Sequence, residues 1–432
     1  MTKTTNISQD SLNVPNGYKN SPLGVIPKEW EIKRFKKLFS FKNGINSGKE
    51  NYGQGIKFVN TLDVLSNNFM TYDSLRGSVV VTDNQKKEFA VVKGDVLFNR
   101  TSETPEDIGH ASVYVDTQNA VFGGFIIRAH SLDNSIDIDF KKYCFATPSV
   151  RKQIVAFGNG AIRYNIGQED IAKTLIALPP LPEQQKIAEI LSTWDVAIEK
   201  QNAQIEQLEL RKRGLMQQLL TGKLRLRNAE GKRFKGEWKK VRLGEVFKLL
   251  KGAGLSKDKL EVEGKYPCIL YGELYTSYNE IIKEVNSYTN YEEGTKSKKG
   301  DILIPSSTTT NGIDLITSSC VTKDDVLIGG DVIILRPKKD VNPEFFSLLF
   351  SNALKAKFVK FTQGVTIIHI YGKDFINEKV SLPSLAEQTA IAEVLSTVDR
   401  EIEIEKQKLA ALQNQKKGLM QVLLSGKIRV KI

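Results

Sequence analysis

Apolar residues between Glu183 and Leu220 recur in alternating steps of four and three: Ile187, Leu191, Trp194, Ile198, Ile205, Leu208, Leu215 and Leu219. Polar residues interrupt the stripe at Gln201 and Lys212. The segment has no proline and one glycine, Gly214. An apolar period of 3.5 residues kept for about five heptads predicts a long helix with a coiled-coil seam. Pro182 stands where a first helical turn accepts proline, and Thr221-Gly222 supplies a stop. The pattern returns at Ile391, Leu395, Val398, Ile402, Leu409, Leu412, Leu419 and Leu423, with polar breaks at Glu405 and Lys416. A long amphipathic helix laid on a globular core is the competing reading, but the stripe is narrow for that.

Ahead of each helix the pattern changes. Short apolar runs such as Asp95-Val96-Leu97-Phe98, Phe125-Ile126-Ile127 and Asp331-Val332-Ile333-Ile334-Leu335 alternate with Gly and Asn clusters, which predicts mixed α/β structure. These segments repeat too. Lys93-Gly94-Asp95-Val96-Leu97 returns as Lys299-Gly300-Asp301-Ile302-Leu303, Gly123-Gly124 as Gly329-Gly330, and Arg213-Gly214-Leu215-Met216-Gln217 as Lys417-Gly418-Leu419-Met420-Gln421. Leu220-Thr221-Gly222-Lys223 returns as Leu424-Ser425-Gly426-Lys427, and Pro27-Lys28-Glu29-Trp30 resembles Lys235-Gly236-Glu237-Trp238. The chain is one unit of about two hundred residues written twice, unlike a solenoid of short repeats. Residues 50–90 and 258–298 show little similarity, so the framework is shared and the content between is not.

Two such helices in one chain pair most simply in antiparallel fashion, each about 57 Å long. The expected fold is α+β: two mixed α/β domains, at 1–180 and 223–384, separated by helical spacers at 181–222 and 385–432. The helices form an antiparallel coiled coil, and the repeat is a pseudo-twofold one.

The 432 residues are 40% hydrophobic and 26% charged, ordinary for a protein with sizeable cores. The net charge of +12 is not ordinary and favours an anionic partner, nucleic acid first. Three scattered cysteines, Cys144, Cys268 and Cys320, offer no disulfide framework and no zinc spacing. No apolar leader region follows Met1 and no run approaches a membrane span, so a cytoplasmic protein without a membrane partner is expected. Catalytic patterns are missing. Asn342-Pro343-Glu344-Phe345 lacks the second proline of an adenine-methylating motif and marks a helix start instead. Gly222-Lys223 and Gly426-Lys427 lack phosphate-loop spacing. His110, His130 and His369 are dispersed.

Leu178-Pro179, then Glu183-Gln184, Ile187-Ala188 and Leu191-Ser192-Thr193-x-Asp195 form a phrase that recurs from Leu382 to Asp399. With one extra residue allowed between proline and glutamate, it resembles the helical region of the specificity subunits of type I restriction–modification systems. The closing Gly-Leu-Met-Gln-x-Leu-Leu-[Ser/Thr]-Gly-Lys, the Lys-Gly-Asp segment and the Gly-Gly strand are similar to the family's in order, twice over. The resemblance implies two target recognition domains reading the halves of an asymmetric bipartite site on double-stranded DNA. It implies two methyltransferase subunits and restriction motor-nuclease subunits as partners, with a spacer coil between the domains. Catalysis is then absent from this chain, which needs no cofactor; S-adenosylmethionine, ATP and Mg belong to the partners. A coiled-coil adaptor without DNA specificity, or a self-contained restriction enzyme, are the rival readings.

Base edges are reached by polar side chains on loops, and phosphates by Lys, Arg and hydroxyls. Candidate contacts in the first half are Lys42, Asn43, Asn46 and Lys49; Asn99, Arg100, Thr101 and Ser102; and Arg163, Tyr164 and Asn165 in the loop that begins at Gly160-Ala161-Ile162. In the second half they are Lys251, Ser256 and Lys257; Ser306, Ser307, Thr308, Thr309 and Asn311; and Gln363 and Thr366. Turns and caps use the same residue types, which is the plainer explanation for each. Arg100 and Arg163 stand out because Arg bonds guanine with two hydrogen bonds.

Overall fold

A computed structural model describes residues 14–160, 163–339 and 341–432. They form two compact units, one ending at Gln201 and taking in Lys408–Ile432, the other spanning Asn202–Gln407. The expected division at 180, 222 and 384 follows element ends. The compact units follow packing and divide both long helices.

In unit one, nine strands make two sheets: β1 (Phe39–Asn43), β2 (Tyr52–Val59), β3 (Phe69–Met70), β4 (Gly77–Val79), β5 (Ala90–Val91), β6 (Val96–Asn99), β7 (Ala111–Tyr114), β8 (Ala120–Phe122) and β9 (Ile126–Ser131). The larger sheet runs β1-β9-β6-β7-β3 and the smaller β4-β2-β8-β5. Every residue of the central strand β6 is buried, which is why Val96-Leu97-Phe98 is continuously apolar. Unit two repeats this with β10 (Phe247–Lys251), β11 (Tyr266–Ile269), β12 (Ile281–Ile282), β13 (Ser287–Thr289), β14 (Thr295–Lys296), β15 (Ile302–Pro305), β16 (Ser319–Val321), β17 (Leu327–Ile328) and β18 (Val332–Pro337). Its orders, β10-β18-β15-β16-β12 and β13-β11-β17-β14, match unit one strand for strand.

The repeated motifs sit where the backbone needs them. At Gly123 and Gly329 the chain leaves the small sheet for the large one. A Cβ there would lie 2.6 Å from the Phe58 ring or 2.6 Å from Leu270, so only glycine fits. In Lys-Gly-Asp, the Asp95 carboxylate accepts the Val92 amide at 2.9 Å and Asp301 accepts that of Lys298 at 2.8 Å, closing equivalent turns. Asp301 is gripped by the Arg336 guanidinium at 2.7 and 2.8 Å. Asp95 has His130 at 2.7 Å instead, and burial holds its carboxyl above the usual carboxylate range. Asn342 caps the helix Pro343–Ser351, as its Asn-Pro start predicts.

The long helices are α1 (Leu181–Leu219) and α2 (Leu385–Leu423). None of the sixteen stripe positions is exposed, whereas Val196, Leu210 and Ile404, off the stripe, are. In unit one, Ile187 and Leu191 share a core with Trp30, Phe140, Leu423 and Leu424. In unit two, Ile391 and Leu395 share one with Met216, Leu219, Leu220 and Phe345. Met216 is buried and Leu215 only half-buried, one step off the expected seam. Ends of the stripe therefore do lie on globular cores, as the competing reading required. The rest of it follows helix pairing. Asp195 accepts from Lys416 and, at 2.5 Å, from the Tyr143 hydroxyl in unit one. In unit two, Lys212 meets Asp399 at 2.7 Å and Lys406 meets Glu209 at 2.8 Å. Within each unit residue numbers rise along one helix as they fall along the other, so the pairing is antiparallel. The polar breaks Lys212 and Lys416 bind the aspartate that ends the repeated phrase.

The Glu-Gln pair of that phrase has a structural role. Glu183, fully buried, accepts from Arg429 Nε and Nη2 at 2.6 and 2.9 Å and from the Trp30 indole at 3.0 Å. Glu387 accepts from Arg225 Nε and Nη2 at 2.5 and 2.7 Å. Gln184 accepts the Asp137 amide and donates to the Ser135 and Pro179 carbonyls, and Gln388 does likewise with Asn342 and Pro383. Each arginine lies just beyond the glycine that ends a long helix, Gly222 at φ +70 or Gly426 at φ +71. Ser192 and Thr397, in the same phrase, only return their hydroxyls to helix carbonyls four residues back.

Replacing Arg429 by Met leaves Glu183 buried without its charge partner. The expected loss is about 2–4 kcal/mol of unit one's stability, the lower range for a broken buried pair because Arg429 is one-third exposed. Urea unfolding should show it, with much of the loss recovered in the Glu183→Leu, Arg429→Met double variant. Equal stability of the single variant and the parent would contradict the role given to the pair.

Candidate nucleic-acid interface

Three loops of unit one meet around Gly124 and Phe125. Ile45 accepts the Gly124 amide at 2.8 Å, and the Asn46 side chain lies directly against Gly124 and would have to swing aside for a Cβ there. The Arg100 amide donates to the Phe125 carbonyl at 2.9 Å, and its guanidinium reaches the Gly124 carbonyl at 3.4 Å. Thr101 and Ser102 then pair with Asn165 and Tyr164 in a short antiparallel ribbon. Arg151 fixes the chain beyond Ser102 by donating to the carbonyls of Glu106, Ile108 and Gly109 at 2.7–2.8 Å. Asn46 and Phe125 border a cavity of about 450 Å³ that also takes in Tyr52, Phe58 and Leu62.

Unit two builds the same convergence around Gly330 and Asp331. The Leu255 carbonyl accepts the Gly330 amide at 3.2 Å, and the Ser306 amide donates to the Asp331 carbonyl at 2.8 Å. Ser307 and Thr308 pair with His369 and Ile368. The two scaffolds agree, but the side chains they carry do not: Arg100 and Phe125 in unit one stand where unit two has Ser306 and Asp331.

The sequence candidates divide by placement. Exposed are Asn46, Lys49, Arg163, Asn165, Lys251, Ser256, Lys257, Thr309, Asn311, Gln363 and Thr366. Half-buried are Asn43, Arg100, Thr101, Ser102 and Tyr164. Lys42 is also half-buried, and its charge is met by Glu88 at 2.8 Å. Asn311 spends its carbonyl oxygen on the Ile313 and Asp314 amides. Four candidates are corrected. Asn99 is fully buried, donates to the Asp107 carbonyl and accepts the Thr101 amide, so it shapes the loop and does not face outward. Ser306, Ser307 and Thr308 are buried as well: Ser307 and Thr308 pair with His369 and Ile368, and Ser306 is bonded through its backbone to Asp331 and Ile370. Ala161 and Ile162 lie outside the described residues.

A family model described as the type I restriction modification DNA specificity domain matches residues 27–210 and again 235–414. The chain belongs to this family. The MjaX type I restriction enzyme specificity subunit of Methanocaldococcus jannaschii is 26% identical over 425 residues, 96% of this chain and 97% of that one. The MjaVIII specificity subunit of the same organism is 30% identical over 267 residues, 59% of this chain and 62% of its own length. Among solved structures, one from work on complex assembly and conformational transition of the type I R-M system matches with a TM-score of 0.57. It is 16% identical and covers 93% of this chain and 99% of its own. The S subunit of the type I restriction–modification system from M. genitalium matches at 0.52, with 18% identity and coverage of 93% and 96%. These two likenesses carry the fold.

In a DNA specificity domain, exposed side chains on a fixed scaffold are the ones to weigh, and sequence reading passed over several. Phe125 is 61% exposed beside Arg100. Tyr371 is exposed, stacks on His369 with rings 6.0 Å apart, and has Lys373 5.7 Å from its centre. The signal was available: Phe125 aligns with Asp331, a difference directly after an invariant Gly-Gly. Among the described residues no helix is long and apolar enough to cross a membrane.

Two arginine and asparagine variants separate contact from scaffold. Arg163→Ala should leave thermal unfolding unchanged and either relax one base preference or lower the salt slope of DNA binding by about 0.9. Asn99→Ala should instead cost about 1–3 kcal/mol of stability, because its loop partners lose a buried hydrogen bond. The opposite assignment of the two effects, read by calorimetry and binding titration, would overturn this division.

Proposed function

We propose that each unit reads one half of an asymmetric bipartite site on double-stranded DNA, and that the chain passes this choice to partner subunits that methylate adenine or cleave. One observation carries the reading: two scaffolds that match strand for strand hold different side chains at an equivalent exposed position, Phe125 in unit one and Asp331 in unit two. A scaffold kept for packing alone has no reason to fix the backbone there and exchange the exposed side chain that it carries. Base edges in the major groove differ in donors, acceptors and methyl groups, so different side chains on one scaffold select different bases. Lys49, Lys251 and Lys257 supply the phosphate contacts that hold register, consistent with the net charge of +12.

The partners in this reading are two methyltransferase subunits and restriction motor-nuclease subunits in the cytoplasm. S-adenosylmethionine, ATP and Mg are bound by them and not by this chain, whose role is recognition without bond chemistry. The adaptor alternative explains the helices and leaves the variable loops without a purpose.

The test is reconstitution. With its methyltransferase, the chain should direct methyl transfer to adenines in two different half-sites separated by unread bases. Alone with S-adenosylmethionine and DNA it should transfer nothing. Log affinity should fall linearly with log salt, by about 0.9 per phosphate contacted. A flat salt response and sequence-blind binding would favour the adaptor, and methylation by the lone chain would refute recognition without catalysis.

A further inference from the structure

The hairpin after Gln363 has a bare apolar tip. Val365 is 96% exposed and Ile367 50% exposed. Such side chains add nothing to the core, yet the backbone that presents them is tightly fixed. Gln363 and His369 exchange amide–carbonyl hydrogen bonds at 2.9 and 2.8 Å. Gly364 holds φ +118, and a Cβ on it would lie 2.1 Å from the Ile367 carbonyl oxygen. Unit one carries the same hairpin. Asn159 and Asn165 exchange hydrogen bonds at 3.0 and 2.9 Å, and Gly160 at φ +142 has the Arg163 carbonyl oxygen 2.0 Å from its would-be Cβ. The frame is the same; unit one offers an exposed Arg163 from it and unit two offers Val365.

The surroundings of Val365 suit DNA. Tyr371 and Lys373 stand exposed beside the half-buried His369, and the nearby Asp374 carboxylate is taken up by the Gln363 side-chain amide at 3.2 Å and offset by the adjacent Lys373. Val262 makes a useful contrast. It is fully exposed too, but it lies between Glu261 and Glu263, which repel phosphate, and no framework residue fixes an equivalent in unit one.

We propose that the hairpin from Gln363 to His369 enters the major groove and that Val365 packs on the C5 methyl of a thymine in the half-site of unit two. This rests on the DNA-reading function above. A two-stranded ribbon fits the major groove. Thymine is the base whose groove edge carries a methyl, and it therefore gives an exposed valine a base-specific partner. Val365 is then a specificity-determining residue for thymine, as Arg163 is the candidate for guanine in unit one.

The experiment uses the complete complex with its methyltransferase and its mapped site, with each thymine replaced singly by deoxyuridine, which lacks only the methyl. In the parent, one position in the half-site of unit two should lose about fourfold in affinity, the effect of one buried methyl. Val365→Ala should weaken the thymine site by a similar factor and become indifferent to deoxyuridine at that position. Val365→Ile should keep the penalty, and all three proteins should respond alike in the other half-site. Val365 is exposed, so unchanged thermal unfolding is expected in both variants. If selective binding persists and Val365→Ala keeps the parental deoxyuridine profile, or the half-site contains no thymine, the assignment to Val365 is overturned while DNA reading stands. Loss of all sequence selectivity in the parent complex would overturn both.

Discussion

A carboxylate with no access to water needs a cation, and Glu183 and Glu387 each find theirs beyond the end of the other long helix. Much of the architecture depends on this. Glu183 begins the first long helix and Arg429 follows the second, so unit one closes only when the last residues of the chain return to it. Glu387 and Arg225 impose the same closure on unit two. The apolar ends of the helices agree with the charges: Leu423 and Leu424 complete the core around Trp30, and Leu219 and Leu220 the core around Phe345. Neither repeat can bury its own half without residues from the other. The repeated phrase is conserved between the halves because it builds this closure: the glutamate takes the arginine, the glutamine ties the helix to its domain, and the aspartate takes the seam lysine.

Function sits on what this closure leaves free. The first glycine of Gly-Gly, Lys-Gly-Asp and the hairpin glycines fix a backbone that is the same in both units, and each has a steric or hydrogen-bonding reason to stay. Side chains carried outward from it have no such reason and differ: Phe125 against Asp331, Arg163 against the Val365 tip. A rigid frame with exchangeable contacts lets one fold serve two different half-sites, and it places the discriminating groups on elements whose own geometry does not change with them.

The long helices, their seam, the duplication and the Asn-Pro helix start were legible in the sequence, because periodicity and caps are local properties. The family followed from the order of these motifs. Burial was not legible. Asn99 and Ser306 to Thr308 look like loop residues, but Asn99 ends a central strand beside Ile126, and Ser307 and Thr308 pair with a strand about sixty residues away, so they turn inward. Arg225 and Arg429 were passed over because a charge beyond a helix end ordinarily stays in water, and nothing local shows that a buried glutamate waits for it. Phe125 reads as part of the apolar run Phe125-Ile126-Ile127 for the converse reason, and Val365 falls in the loop Gln363-Gly364-Val365-Thr366, where only the polar residues stand out as contacts. Aligning the two halves position by position would have marked Phe125, since it stands opposite Asp331 directly after the shared Gly-Gly.

The central claim is that two independent readers share one interlocked scaffold. Exchanging residues 1–180 for those of a relative with a different target, and mapping methylated adenines in cells that carry the hybrid with its methyltransferase, tests this most directly. The account predicts that the half-site read by unit one takes on the relative's sequence and the other half-site stays as it was. A change in both half-sites, or in neither, would contradict it.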